Sequence, residues 1–127
     1  MAIEFNHTIV WSGDAKSSAR FLAGLLGLPE PKKVYHFEVV TTANGVNVDF
    51  AEKEGEIRTQ HYAFLVGEPE FDAIFGRIKE RGLQYWADPA RSKAGEINRH
   101  EGGRGVYFQD PSGHLLEIIT RPYGSGG

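Results

Sequence analysis

Two histidines and two carboxylates stand at corresponding points in the two halves of this chain. His7 and Asp49 lie in the first half, and His61 and Glu117 lie in the second. Two imidazoles and one carboxylate are typical of non-haem iron(II) sites, and manganese, nickel and zinc use the same donors. A carboxylate that points into a shared cavity is costly unless it is paired or bound to metal. The four residues therefore indicate a candidate metal site.

The elements that must position these residues occur in the same order in both halves. Alternating apolar runs predict strands, apolar residues at helical spacing predict helices, and Asn44-Gly45 favours a hairpin turn. The main predicted elements are, in chain order, 5–11 (strand), 15–26 (helix), 46–50 (strand), 61–66 (strand), 69–81 (helix), 105–109 (strand) and 114–120 (strand). The stretch 33–51 holds further strand-like runs, so each half is predicted to have the order β-α-β-β(-β).

Local similarity between the halves supports a duplication. The turn glycine Gly45 precedes Asp49 by four residues, and Gly113 precedes Glu117 by the same interval, with apolar residues on both sides of each acid. The sequence predicts a single α+β domain over 1–123, with one module over about 1–55 and a second over about 56–123. The glycine-rich end, 124–127, is predicted to be a flexible tail.

The motifs that carry these residues resemble a known family. The matching stretches are 6–10 with the helix that follows, 61–66, and 107–117, which contains Asp-Pro-Ser-Gly-His-Leu-Leu-Glu. Together they resemble the vicinal oxygen chelate superfamily, which includes glyoxalase I, extradiol dioxygenases, and fosfomycin- and bleomycin-resistance proteins. The resemblance implies two βαβββ modules that form a cupped mixed β-sheet, with helices on the outer face, around a divalent metal. It also implies metal ligands at His7, His61 and Glu117.

Asp49 stands where glyoxalase I has a glutamate as fourth ligand, and its side chain is one methylene shorter. We therefore predict a three-ligand site in which Asp49 acts as a base or a substrate contact, and we assign a catalytic role to Tyr107 on the same predicted cavity face. Predicted substrate-binding residues are Trp11, Asn47 and Arg104. His114, whose parity directs it away from Glu117, is predicted to lie at the surface.

The favoured hypothesis is a metal-dependent enzyme, most similar to a small dioxygenase, that acts on a substrate chelated through two adjacent oxygens. Fe²⁺ is the favoured cofactor, and Mn²⁺, Ni²⁺ or Zn²⁺ are alternatives. A glyoxalase-like lyase or isomerase is a second hypothesis, in which a carboxylate moves a proton. A non-enzymatic drug-binding resistance protein is a third. Fosfomycin chemistry is disfavoured, because Glu101-Gly102-Gly103 replaces the Ser-Glu-Gly loop of the fosfomycin enzymes.

Composition limits the remaining classes. The 127 residues are 40% hydrophobic and carry a net charge of −3, with no cysteine. This excludes a largely disordered chain, a disulfide framework and a thiol nucleophile. No apolar run approaches the ~20 residues of a spanning helix, and an acidic chain with scattered cations is a poor nucleic-acid or membrane binder. We expect a cytoplasmic protein with a small-molecule substrate, and a homodimer because open sheet edges need covering.

Overall fold

The computed structural model describes residues 2–126, and the chain divides into two compact units, Met1–Arg58 and Thr59–Gly127. Each unit holds one helix and one four-stranded mixed sheet. This confirms the predicted α+β class and the two βαβββ modules. Among the described residues, no helix is long and apolar enough to cross a membrane.

The first unit contains one sheet in which the first and last strands are neighbours. Its elements are β1 (His7–Ser12), α1 (Ala15–Leu26), β2 (Lys32–Val34), β3 (Phe37–Thr41) and β4 (Asn47–Glu52). The strand order is β1-β4-β3-β2, where β1 and β4 are parallel and the other pairs are antiparallel. Asp14 caps α1 by accepting the Ser17 N–H at 3.1 Å, and Gly27 ends the helix at φ +71°. The helix therefore has the predicted bounds, and this cap and this glycine set its two ends.

The second unit repeats this topology. Its elements are β5 (His61–Leu65), α2 (Glu68–Glu80), β6 (Tyr85–Trp86), β7 (Gly105–Gln109) and β8 (Leu115–Ile119), in the sheet order β5-β8-β7-β6. Strands β5 and β8 are parallel, and β8 pairs antiparallel with β7. Helix α2 begins one residue before the predicted Pro69 and buries Phe71, Ile74 and Ile78. The matching order in both units supports the internal duplication.

Strand register brings the candidate residues to equivalent positions in the two sheets. Ile9 is the partner of Asp49 in the first sheet, and Ala63 is the partner of Glu117 in the second. His7 and His61 each open the edge strand, two residues before Ile9 and Ala63 respectively. Because side chains alternate along a strand, each histidine shares a face with the acid of its own unit. The equivalence inferred from the turn glycines is thus present in the backbone.

The predicted surface position of His114 is wrong. This residue does face away from Glu117, but it is only 1% exposed. Its Nδ1 accepts the backbone N–H of Gln60 at 3.0 Å, and its ring meets the edge of Tyr62 at 5.8 Å between centroids. Facing away from the candidate site therefore means burial in the core.

Replacing His114 should destabilise the fold much more than replacing an exposed histidine. We expect His114→Ala to lower the free energy of unfolding by about 3 kcal/mol, because a cavity forms and the Gln60 N–H loses its acceptor. His36→Ala is the matched control, since His36 is exposed, and its effect should stay within about 0.5 kcal/mol. Urea unfolding measures both variants, and equal losses would contradict the buried role of His114.

Candidate functional site

A histidine and a buried carboxylate face each other across the parallel strands β5 and β8. His61 is the first residue of edge strand β5, and Glu117 is at the centre of β8. The Nε2 atom of His61 lies 3.1 Å from Oε1 of Glu117. Glu117 is 1% exposed, whereas 43% of the His61 side chain is accessible. The pair thus joins a buried anion to a ring that reaches the surface.

The other ring nitrogen of His61 fixes what Nε2 can do. Nδ1 lies 3.0 Å from the backbone carbonyl oxygen of Leu115, and a carbonyl only accepts, so Nδ1 carries a hydrogen. In the neutral ring, Nε2 then presents a lone pair toward the oxygen of Glu117. Two acceptors at this distance repel unless a proton or another cation lies between them. This arrangement fits a metal ion, because ligating histidines commonly donate their second N–H to a carbonyl.

Two tyrosines complete the surroundings of Glu117. The hydroxyl of Tyr123 donates toward both carboxylate oxygens, at 2.8 Å from Oε1 and 2.9 Å from Oε2. The hydroxyl of Tyr107 lies 3.3 Å from that of Tyr123. Because the hydrogen of Tyr123 is used on Glu117, Tyr107 is the donor in this second contact. The result is a chain of hydrogen bonds from Tyr107 through Tyr123 to Glu117.

Tyr107 is the antiparallel partner of Glu117 on β7, and its ring is stacked near His61 with centroids 5.8 Å apart. Burial raises the pKa of Tyr107 far above its ordinary value, and the contacts with Tyr123 and Glu117 raise it further. The pKa of Tyr123 is also raised: its bond with Tyr107 lowers it, but burial and Glu117 outweigh that effect. Both hydroxyls therefore act as neutral donors at ordinary pH.

The first unit gathers four other predicted residues on one sheet face. Register places His7 beside Asn47, Ile9 beside Asp49, and Trp11 further along the same face. His7 is exposed and its Nδ1 lies 2.7 Å from Oδ1 of Asn6, while Asn47 accepts from the Thr41 hydroxyl at 2.7 Å.

Asp49 differs from its counterpart in the second unit. Its Oδ1 is buried and has no hydrogen-bond partner among residues 2–126. Trp11, which pairs with Ala51 on the same face, is 46% exposed, so this face also presents an aromatic surface. An acceptor with free capacity beside an aromatic surface is suited to contact a substrate hydroxyl.

Arg104 already forms ion pairs within the second unit. Its guanidinium binds Glu68 at 2.7 Å and Asp72 at 2.8 Å, and it lies over the Phe71 ring at 4.4 Å from the centroid. These partners belong to helix α2. A charge that is already paired twice has less to offer a substrate anion, and its substrate-binding role stays a prediction.

The predicted ligand set is divided between the units. His61 and Glu117 are together in the second unit, and His7 belongs to the first. No group of three His, Asp or Glu side chains in the described part of the chain forms a metal cluster. Tyr123 is the residue that sequence reasoning missed, because it follows the last strand without any periodic pattern. The only signal was its chemistry, a tyrosine six residues after the buried acid.

Comparison with known proteins identifies the relatives of this chain. The family model described as Glyoxalase/Bleomycin resistance protein/Dioxygenase superfamily matches residues 4–118. Among solved structures, Oxidase ChaP-H1 is 60% identical with a TM-score of 0.95, covering 97% of this chain and 99% of that one. Oxidase ChaP-H2 is 57% identical with a TM-score of 0.97, and the match covers 100% of both chains.

More distant similarity reaches two curated transferases. Metallothiol transferase FosB of Shouchella clausii (strain KSM-K16) is 33% identical over 91 residues, which is 70% of this chain and 58% of FosB. Glutathione transferase FosA of Serratia marcescens is 28% identical over 124 residues, which is 93% of this chain and 81% of FosA. The match to FosB thus spans little more than half of that protein.

Tyr107 should make stability sensitive to alkaline pH. A raised pKa means that the folded state prefers the protonated phenol, so this contribution is intact below about pH 10, the unfolded value, and is lost as pH rises further. We expect the free energy of unfolding of Tyr107→Phe to fall less steeply above about pH 10, by up to about 1.4 kcal/mol per pH unit. Urea unfolding across this range measures the slope. Tyr35→Phe, at an 88% exposed residue, should retain the wild-type slope. A wild-type slope in Tyr107→Phe would contradict the assignment.

Proposed function

Because the chain belongs to the Glyoxalase/Bleomycin resistance protein/Dioxygenase superfamily, we propose that it is a metal-dependent enzyme that oxidises a small organic substrate with O₂. The proposed substrate presents two adjacent oxygen atoms, as a catechol or a related enol does. The observation that carries the proposal is the approach of His61 Nε2 to the buried Glu117 carboxylate at 3.1 Å. The two oxidases that match nearly the whole chain support oxidation over the other activities of the superfamily.

The proposed ligands are His61 and Glu117 together with His7. The second unit supplies an imidazole whose lone pair is directed at a carboxylate, and the first supplies a histidine at the equivalent strand position. Fe²⁺ is the proposed ion, with Mn²⁺, Ni²⁺ and Zn²⁺ as alternatives that fit the same donors. When bound, such an ion would orient two substrate oxygens and stabilise negative charge that develops on them.

The chain's own residues have separate proposed roles in the reaction. Tyr107, stacked near His61, is proposed to line the substrate position, and its hydroxyl oxygen, whose hydrogen is directed to Tyr123, can accept a hydrogen bond there. Asp49 has a buried oxygen without a partner among the described residues, so it is the proposed acceptor for a substrate proton. Trp11 and Asn47 share its face and are the proposed substrate contacts, with Trp11 giving an aromatic surface.

The other proposals concern assembly and place in the cell. The edge strands β1 and β5 leave unpaired backbone groups in their own sheets, so we propose a homodimer in which these edges are covered. A dimer would also allow His7 from one copy to complete the site of another. Sedimentation at micromolar concentration tests this, and a monomer would refute it. Cytoplasmic location stays a prediction.

A substrate panel separates oxidation from the lyase alternative. Protein loaded anaerobically with Fe²⁺ is mixed with catechols, or with thiol adducts of α-oxo-aldehydes, and both O₂ uptake and product formation are recorded. Oxygen uptake with a catechol-type compound, lost in Glu117→Gln, is the expected result. Isomerisation of a thiol adduct without oxygen uptake would replace the oxidase with the lyase. If the purified protein contained no metal, was inactive in both assays and gained no activity when metal was added, only the drug-binding alternative would remain.

Substitution at the two equivalent acids should affect metal content differently. Glu117→Gln removes the only anion of the proposed ligand set, so we expect nearly complete loss of bound metal. Asp49→Asn should retain close to the wild-type amount, because Asp49 is proposed to contact substrate rather than metal. Elemental analysis of protein purified without added metal measures both variants. Equal loss in the two variants would make Asp49 a fourth ligand and favour the lyase alternative.

A further inference from the structure

We infer that Tyr123 positions the Glu117 carboxylate for metal binding, and that Glu101 holds the C-terminal segment 121–126 in the place where Tyr123 can do so. This inference rests on the proposed metal site and adds a part of the chain that lies beyond the last strand. It makes the segment after β8 a functional component of the site.

The contact between Tyr123 and Glu117 restrains the orientation of the carboxylate. One hydroxyl lies almost equally far from both carboxylate oxygens, 2.8 Å and 2.9 Å, so it restrains rotation of the carboxylate plane. Tyr107 donates to the same hydroxyl at 3.3 Å, which polarises Tyr123 as a donor. With the plane restrained, Oε1 stays beside Nε2 of His61. A ligating carboxylate needs such support, because a freely rotating group loses orientation for the ion.

The position of the Tyr123 ring is not fixed by contacts of the ring itself. This residue is 63% exposed, so packing contributes little to its position. The backbone around it is fastened by Glu101, whose Oε1 accepts the N–H of Gly124 at 3.0 Å and whose Oε2 accepts that of Gly126 at 2.8 Å. Arg121 adds a bond from Nη2 to the Gly126 carbonyl at 3.0 Å. The position of the Tyr123 hydroxyl therefore depends on a carboxylate clamp.

These bonds give structure to a part of the chain that composition marks as a flexible tail. Gly124 and Gly126 provide two N–H donors that point to one carboxylate, and both have positive φ, +74° and +70°. Glycine adopts this conformation without a side-chain clash, so the segment can curve around Glu101. Gly127, the last residue of the predicted tail, lies outside the described residues.

The test is Co²⁺ binding to the full chain, because cobalt reports both affinity and coordination through its visible spectrum. We expect Tyr123→Phe to weaken Co²⁺ binding about tenfold and to change the spectrum. Glu101→Ala should act in the same direction. The double variant should bind no more weakly than Tyr123→Phe, because Glu101 acts through Tyr123. Circular dichroism establishes that each variant is folded, and Glu101→Ala keeps the test available if Tyr123→Phe does not fold.

Two matched controls separate this effect from loss of any tyrosine hydroxyl or any surface carboxylate. Tyr35→Phe and Glu96→Ala change exposed residues and should bind Co²⁺ as the wild type does. Wild-type affinity and an unchanged spectrum in Tyr123→Phe, combined with loss of binding in Glu117→Gln, would overturn the role of Tyr123 and leave the metal site standing. Binding that is undiminished in Glu117→Gln would overturn the metal site itself, and this inference with it.

Discussion

The approach of His61 to Glu117 depends on the register of two parallel strands. Nδ1 of His61 is bonded to the carbonyl of Leu115, so a slip of one residue between β5 and β8 would remove that bond and turn Glu117 to the other face. The backbone of Gln60 holds the register next to the site. Its carbonyl accepts the Leu115 N–H at 2.9 Å, and its own N–H donates to the buried His114. A core histidine thus supports the candidate metal histidine through one backbone residue.

Elements with a regular period were predictable from sequence, and contacts made by irregular segments were not. Helix α1 had a cap, an apolar stripe and a stop glycine, and the acids Asp49 and Glu117 each followed a turn glycine by four residues. Periodicity also gave the side of the strand on which His114 lies. It did not show that His114 is buried there, because burial is set by tertiary packing rather than by alternation.

Long-range contacts explain the remaining differences between sequence and structure. Arg104 was predicted to bind substrate, whereas the structure pairs it with Glu68 and Asp72, which lie 36 and 32 residues away. Tyr123 reaches Glu117 because Glu101, more than twenty residues earlier, receives the N–H groups that follow it. No local pattern encodes such a pairing. The candidate acids and histidines were therefore accessible to sequence analysis, and the residues that hold them were not.

Asp49 and Glu117, the equivalent acids of the two units, have different surroundings, and this difference indicates that they have different roles. Glu117 has Ala63 and Tyr107 as strand partners, is fully buried, and receives hydrogen bonds from a tyrosine. Asp49 has Ile9 and Val39 as partners and keeps one buried oxygen without a partner in the described chain. A supported carboxylate suits a fixed ligand, while an unsupported one beside apolar residues retains capacity for a substrate that comes and goes.

The choice of a tyrosine to support Glu117 follows from charge. A lysine or arginine at the position of Tyr123 would stabilise the buried carboxylate more strongly, but it would cancel the negative charge and repel a cation. A phenol donates a hydrogen bond and adds no charge. Since the pKa values of Tyr107 and Tyr123 are both raised, the two hydroxyls stay neutral and place no charge beside Glu117. Two phenols can therefore order the buried carboxylate without opposing the proposed binding of a metal ion.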